Sequence, residues 1–366
     1  MTTRSNLILS ILFMFLLPIL ATAQNEDNDA VPIEAIEGLT SLFDSTPLVA
    51  LGETHEHAQL YDFLTELVQT EGFYTRVDDI LIESGSALYQ ETLDRFISGQ
   101  AVSKEELQKL WLNTTQSPVD PWGNEVYFNF LTTIRELNAR IDSMHHIRVI
   151  AADPPIQWEN VHSQEDYRAA RGSRNTFYAQ KAMEEVLKKN RKALMISGGA
   201  HFGYHNPRNT LVNQRIEKEY PNSVTVVLAA SGLGRANKDH EERLADWHRP
   251  TLTPLADNWI GELPGPRRMA RAASTPASTS SASSTAPNTA PQNRTAGPPA
   301  RKKKEYSDYL LYFGRPDEIA YGDTDASVYI SDKFWKEMNR RSKVRFGSEL
   351  IPETRKTGSL RPVSYN

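Results

Sequence analysis

Short apolar runs alternate with amphipathic segments from residue 31 to residue 230, which is the pattern of strands separated by helices. The apolar runs show no polar alternation, as expected of strands that are buried on both faces of a sheet. They occupy residues 47–51, 79–82, 147–151, 193–196 and 224–228. The pattern predicts an α/β fold with a mostly parallel sheet that is flanked by helices.

Two of the intervening segments have a clear helical period. In the first, apolar residues recur at i, i+3, i+4, i+7 and i+8, namely at Leu60, Phe63, Leu64, Leu67 and Val68. In the second, they recur every three or four residues at Val126, Phe130, Ile134, Leu137 and Ile141. Each segment is therefore predicted to be a helix with one buried face.

The composition changes in residues 263–304, where Ala, Ser, Thr and Pro dominate and eight basic residues occur without any Asp or Glu. This composition predicts a disordered insertion. Its cationic end, Arg301 to Lys304, favours either an anionic envelope surface as a partner or a purely solubilising role. A strand at 309–313 is predicted to return to the sheet, so residues 24–262 and 305–345 form one domain and 346–366 a disordered tail.

The first 23 residues have the pattern of a cleaved signal peptide: Arg4, an apolar run at 7–20, and Ala21-Thr22-Ala23. A run of 14 residues is too short for a hydrocarbon core of about 30 Å, at about 1.5 Å per residue. We therefore expect a periplasmic or secreted protein with no transmembrane anchor in its mature form. The chain has no cysteine, which excludes disulfides, thiolate nucleophiles and a lipidated cysteine. A net charge of -5 argues against specific nucleic-acid binding.

Ionisable residues follow four of the predicted strands. They are Glu53, Glu83, Asp153 and His201. Because ligands of α/β proteins bind beyond the carboxyl ends of parallel strands, we expect these side chains to share one site. The neighbouring glycines (52, 85, 198 and 199) are expected to let the chain leave the strands through conformations closed to other residues.

Glu53, His55, Glu83 and His201 are the predicted catalytic residues, with the histidines as acid and base and the glutamates orienting or activating water. Substrate contacts are predicted for Arg174, Asp153 and Tyr204, each with a structural role as the alternative. The same donors suit a divalent metal, for which Glu53, His55 and His201 are the candidate ligands. His57 is expected at the surface, and the pair His201 and His205 has the spacing of a helical metal site.

Several of these motifs, in this order, resemble the superfamily of erythromycin esterase, ChaN haem-binding proteins and Tiki/TraB proteins. The resemblance covers about residues 49–228 and is carried by Gly52-Glu53-Thr54-His55, Glu83, Tyr89-Gln90, Leu93-Asp94-Arg95-Phe96, Arg174-Asn175 and Gly198-Gly199-Ala200-His201. It implies an α/β domain with a polar cleft at the strand ends.

The branches of this superfamily imply different chemistry. Esterase-like members imply hydrolysis by an activated water, Tiki-like members imply metal-dependent peptide cleavage, and ChaN-like members imply haem binding by a lipoprotein. This chain departs from the lipoprotein pattern because it has no lipobox cysteine. The sequence therefore favours an exported hydrolase that cleaves an ester or a peptide. The alternative is a non-catalytic haem- or ligand-binding protein of the cell envelope.

Overall fold

The computed structural model describes residues 29–119, 122–204, 210–265, 301–325, 327 and 331–363. The predicted signal peptide, His205 and residues 266–300 of the predicted insertion lie outside these ranges. Within them, no helix combines the length and apolar character that crossing a membrane requires.

Eight strands of the described chain form one sheet in the order β1-β7-β8-β6-β2-β5-β3-β4. From β8 to β4 every neighbouring pair is parallel, whereas β7 runs antiparallel to β8 and β1. The strands are β1 (Ile33–Glu34), β2 (Leu48–Glu53), β3 (Asp79–Ser86), β4 (Arg148–Asp153), β5 (Ala193–Gly198), β6 (Val224–Ala230), β7 (Thr251–Pro254) and β8 (Tyr309–Tyr312). The α/β prediction is confirmed.

The last strand, β8, lies between β6 and β7 although about fifty residues separate it from β7 in the chain. Val227 pairs with Tyr309 in the parallel direction, and Leu252 pairs with Leu311 in the antiparallel direction. The predicted return of this segment to the sheet is therefore confirmed.

Helices cover both faces of the sheet. They are α1 (Ala35–Ser41), α2 (Ala58–Gln69), α3 (Glu71–Tyr74), α4 (Gln90–Ile97), α5 (Lys104–Leu112), α6 (Glu125–Asn138), α7 (Gln164–Arg171), α8 (Arg174–Glu185), α9 (Val212–Glu219), α10 (Trp259–Glu262) and α11 (Asp332–Phe346). Alternate residues of β2 supply the two cores: Val49 packs with α2 and α6, and Leu48 packs with α8 and α9.

The predicted helical faces are buried as expected. All five periodic residues of α2 are buried, and Phe130, Ile134 and Leu137 of α6 are buried beside them. The second helix is shorter than predicted, because α6 ends at Asn138 and leaves Ile141 outside it.

The chain after α11 forms contacts where the sequence predicts a disordered tail. Leu350 and Leu360 are buried against Met338 of α11, and residue 350 bridges to residue 362. A 3₁₀ turn covers Pro352–Lys356. The hydrophobic residues of this short segment are too widely spaced to predict such packing from their period.

Candidate active site

The predicted site residues meet where the strand order reverses. The chain runs from β2 outward to β3 and β4, returns as β5 between β2 and β3, and then places β6 on the other side of β2. The carboxyl ends of β2, β4 and β5 are Glu53, Asp153 and Gly198. A reversal of this kind opens a crevice at the carboxyl edge of a parallel sheet.

Glu53 and His55 form the first pair of the site. Glu53 is buried, and its Oε1 lies 2.8 Å from Nδ1 of His55. Its Oε2 accepts a hydrogen bond of 2.9 Å from the hydroxyl of Tyr61 in α2. Burial and the charge of Glu53 raise the pKa of this hydroxyl well above its usual value, so Tyr61 remains a donor. With Nδ1 of His55 donating to Glu53, Nε2 is left as the basic nitrogen.

The environment of His55 favours its charged form more than water does. Burial alone would lower its pKa, but the hydrogen bond and the charge of Glu53 outweigh burial and raise the pKa above 6.5. The ring packs edge-on against the buried Trp122, with ring centroids 4.5 Å apart. One third of the His55 side chain is exposed, which leaves room for a reactant at the ring.

Glu83 is the most densely hydrogen-bonded residue of the site. Its Oε2 accepts hydrogen bonds from the Ser197 hydroxyl at 2.8 Å and from the Gly198 amide at 2.7 Å. Its Oε1 faces Nε2 of His201 at 3.1 Å, Nε2 of Gln116 at 3.1 Å and the guanidinium of Arg174. Burial would raise the pKa of Glu83, but His201 and Arg174 hold it well below its usual value.

His201 has an oxygen acceptor at each ring nitrogen. Nδ1 lies 2.5 Å from Oδ1 of Asn175, and Nε2 faces Glu83. The orientation of the Asn175 amide is fixed because its Nδ2 donates to the carbonyl of Thr210 at 2.8 Å. Both ring nitrogens of His201 therefore face acceptor oxygens.

Arg174 begins α8 and joins two of the buried carboxylates. It contacts Glu83 with one terminal nitrogen, and its Nε donates to Asp153 at 3.0 Å. Asp153 also accepts hydrogen bonds from the amide and hydroxyl of Thr115, at 2.6 and 2.7 Å. Burial raises the pKa of Asp153 despite these donors. The contacts described here for Arg174 and Asp153 are with each other, with Glu83 and with Thr115.

Several residues of the site carry no signal in the sequence. Thr115 and Gln116 come from the loop after α5, whose irregular sequence predicts nothing about its partners. This loop is held by α11, because Arg341 donates to the carbonyl of Leu112 at 2.9 Å and Arg345 contacts the carbonyl of Gln116. Unlike Thr115 and Gln116, Asn175 lies in one of the motifs that carry the family resemblance, directly after Arg174.

The four glycines at the strand ends (52, 85, 198 and 199) allow neighbouring groups to approach the backbone closely, and they do not adopt unusual backbone angles. Of the four glycines expected to need such angles, none has a positive φ, so that expectation is wrong. A Cβ added to Gly198 would lie 3.0 Å from the ring of His55. A Cβ on Gly52 would lie 2.9 Å from the Cα of Gly199. A side chain at Gly198 would therefore press on the His55 ring, and one at Gly52 would press on the backbone of Gly199.

Two candidates lie apart from this cluster. The hydroxyl of Tyr204 is hydrogen-bonded to Asp308, which also accepts from the amide of Val226 in β6 at 2.8 Å. Tyr204 therefore ties the chain after β5 to the start of β8. His57 is buried, contrary to the expectation of a surface position, because its Nδ1 accepts from the amide of Leu60 at 2.9 Å and caps α2.

The contacts of the predicted metal ligands do not fit a divalent metal. Glu53 and His55 bind each other, and His201 lies between Asn175 and Glu83. The cationic Arg174 already neutralises Glu83 and Asp153. Among the described residues, no group of three or more His, Asp and Glu side chains lies in a position to hold an ion.

A cavity of about 930 Å³ adjoins the polar cluster. Glu53, Thr54, Gly199 and Ala200 lie at its border with the cluster, and β6 supplies apolar wall residues such as Leu228. This volume is in the range of sites for small organic ligands. The cavity therefore meets the polar cluster at Glu53, which belongs to both.

Comparison with known proteins found no protein-family model and no curated protein that matches the chain. A solved structure from Bacillus cereus is similar at 12% identity and a TM-score of 0.49, covering 81% of this chain and 97% of that one. A succinoglycan biosynthesis protein is similar at 11% identity and a TM-score of 0.41, covering 56% and 73%.

The ChaN of Campylobacter jejuni, described with cofacial haem binding, is also similar, at 13% identity and a TM-score of 0.37. The match covers 54% of this chain and 87% of that chain. The similar structures thus include the ChaN group that the sequence motifs resemble. At these identities and TM-scores the similarity has no bearing on activity or ligand.

Proposed function

We propose that the protein is an exported hydrolase that activates water with its His/Glu cluster to cleave an ester or a peptide. The observation that carries this proposal is the placement of two His–Glu pairs around Gly198. His55 approaches Gly198 on the Glu53 side, while Glu83 binds the Gly198 amide and contacts His201. An acid and a base positioned around one point are what acyl transfer to water requires.

In this proposal His55 is the general base. Its Nε2 takes a proton from water while the water oxygen forms a bond to the acyl carbon of the substrate. Glu53 holds the imidazole in the required tautomer and stabilises the imidazolium that forms. Tyr61 in turn fixes the carboxylate of Glu53.

His201 is the general acid. Its Nε2 faces Glu83 in the free protein, and the proton passes from Nε2 to the leaving oxygen or nitrogen as the bond to the acyl carbon breaks; the products are a carboxylic acid and an alcohol or amine. Glu83 and Asn175 hold the ring in place. Arg174, predicted to bind substrate, acts here as a positioning residue because it orients Glu83 and Asp153.

Hydrolysis of a panel of p-nitrophenyl esters and anilides tests the proposal. We expect turnover by the wild type, and a loss of about 100- to 10,000-fold in His55→Ala and His201→Ala, the range for loss of a general acid or base. The circular-dichroism spectrum of each folded variant should match that of the wild type, although the loss of a partner of buried Glu53 or Glu83 lowers the melting temperature. Absence of turnover across the panel, or unchanged rates in both variants, contradicts the proposal.

Non-catalytic binding of haem is the second candidate, favoured by the cavity itself. Tyr306 and Tyr321 line it, and a tyrosine oxygen is a known type of haem ligand. Haem would bring redox and gas-binding chemistry, and Tyr306 and Tyr321 would be the candidate residues to hold its iron. Titration with haemin should then give a saturable Soret shift that Tyr306→Phe or Tyr321→Phe removes. A spectrum that stays that of free haemin rejects this candidate.

A further inference from the structure

Lys303 is turned inward in a segment that is otherwise strongly basic. The flanking Lys302 and Lys304 both pair with Glu262 of α10 at the surface. Lys303 begins the 3₁₀ turn between them, and only 7% of it is exposed. Lysine is almost never buried to this extent unless it is paired, so the position calls for a reason.

The ammonium group of Lys303 has no partner in the described part of the chain. No hydrogen bond or ion pair of its side chain occurs there, and the acidic residue with a favourable charge effect on it is Glu241. The oxygens of Glu241 are already engaged, one by the amide of Leu233 and the other by the hydroxyl of Tyr312 at 2.7 Å. The described residues thus leave the ammonium group, which borders the cavity, without direct compensation.

Two further polar side chains in the wall of one cavity with Lys303 are unsatisfied. The hydroxyls of Ser231 and Ser307 are buried, and neither has a hydrogen-bond partner among the described residues. Both serines and Lys303 line the 930 Å³ cavity. One cation and two hydroxyls are the donors that an anionic oxygen group needs.

The rest of the cavity wall is largely apolar. Its apolar residues include Phe202, Val226, Leu228, Ala229, Ala230 and Leu233. An apolar compartment that contains a few unsatisfied donors is matched by a molecule with an apolar chain and one anionic head.

We infer that the cavity binds an amphipathic anion, whose apolar chain lies along β6 and whose head group pairs with Lys303, Ser231 and Ser307. As a statement about the substrate, this inference rests on the proposed hydrolase function. Glu53 lines the same cavity, so the substrate class is an ester or amide with an apolar chain that ends in a carboxylate or phosphate.

The ionisation of Lys303 gives this site a pH dependence. Burial lowers the pKa of Lys303 to about 8, so its side chain is still mainly charged at pH 7. Binding of the anion should therefore weaken as the pH rises above 8. Glu241 is the other titratable group that acts on this lysine, and its charge raises the pKa of Lys303 against the effect of burial.

Isothermal titration calorimetry with decanoate, decyl phosphate and decan-1-ol tests the inference. At pH 7 the wild type should bind one of the anions at least tenfold more tightly than decan-1-ol. Lys303→Met should weaken anion binding by about 10- to 100-fold, the range for a charge-assisted hydrogen bond, and leave decan-1-ol binding unchanged. Lys302→Met is the matched control, because it removes the same charge from the surface side of the turn.

Equal binding of all three ligands, no binding of either anion, or equal losses in the Lys303 and Lys302 variants overturns the inference. The readout is independent of turnover, so the two proposals can fail separately. Anion binding that depends on Lys303, in a protein that hydrolyses no ester or anilide, rejects the hydrolase and retains the binding site. If the protein hydrolyses esters, Lys303→Met leaves the rate unchanged and neither anion binds, the anion site is rejected and the hydrolase proposal is retained.

Discussion

Glu83 and Lys303 are both buried ionisable residues, Glu83 in the polar cluster and Lys303 in the cavity wall, yet their surroundings are opposite. Glu83 meets five donors, whereas the described residues offer Lys303 no direct partner. A charge whose hydrogen-bonding capacity is filled is fixed in place and can position its neighbours. A buried charge that has no partner instead lowers the stability of the protein until a ligand compensates it. We therefore assign chemistry to the polar cluster and ligand binding to the cavity.

The largest expected effect on stability is that of Glu83→Ala. This variant leaves Arg174 and His201 beside an empty, buried position, and breaking a buried ion pair costs about 3–5 kcal/mol. Urea unfolding measures the loss. Leu228→Ala is the comparison on the cavity side, where we expect no more than about 1 kcal/mol because Leu228 already borders empty space. Equal losses would remove the distinction between the two regions.

The contribution of Glu83 should also depend on pH. Its pKa in the folded protein lies well below the ordinary value of 4.5. Its stabilising effect is therefore complete above pH 4.5 and is lost as the pH falls toward the folded value. Urea midpoints measured from pH 7 to pH 3 should fall less steeply in Glu83→Gln than in the wild type. Parallel curves would contradict this account of Glu83.

Lys303→Met should change the free energy of unfolding in the opposite direction and stabilise the ligand-free protein. The folded pKa of Lys303 is about 8 and its ordinary value is 10.5, so folding at pH 7 is opposed by on the order of 3 kcal/mol. Because the unfolded chain binds more protons between pH 8 and 10.5, wild-type stability rises with pH across that window. The gain from Lys303→Met should shrink over the same window. A destabilised Lys303→Met would show that the lysine has a structural partner.

A smaller change, Gly198→Ala, should reduce turnover without unfolding the protein. The new Cβ would lie 3.0 Å from the His55 ring, so the ring must shift by a few tenths of an ångström. Misplacing a catalytic group in this way costs up to about 100-fold in rate. Gly72→Ala is the matched control, because its Cβ would meet only ordinary contacts beyond 3.6 Å. Equal rates in the two variants would show that the position of the His55 ring does not affect turnover.

The contrast between the polar cluster and the cavity also explains which part of the candidate site can be predicted from the sequence. Glu53, Glu83 and Asp153 follow apolar strands directly, and parallel pairing is enough to bring strand ends together. The cavity combines β6 with Ser307 and Lys303, which lie about eighty residues further along the chain. Charge alone does not distinguish Lys303 from Lys302 and Lys304. Which of three consecutive lysines turns inward depends on packing against a distant strand.

The pH dependence of kcat/KM tests the central claim, that His55 is a base supported by Glu53, most directly. If neutral His55 accepts the proton, kcat/KM for an ester should rise with pH through the pKa of His55, which Glu53 raises above 6.5. Glu53→Gln removes that charge while burial remains, so the midpoint should move to lower pH. Its plateau should fall by about 10- to 100-fold, as for loss of a charged hydrogen bond. An unchanged midpoint, or a rate that falls as the pH rises through this region, would contradict the account.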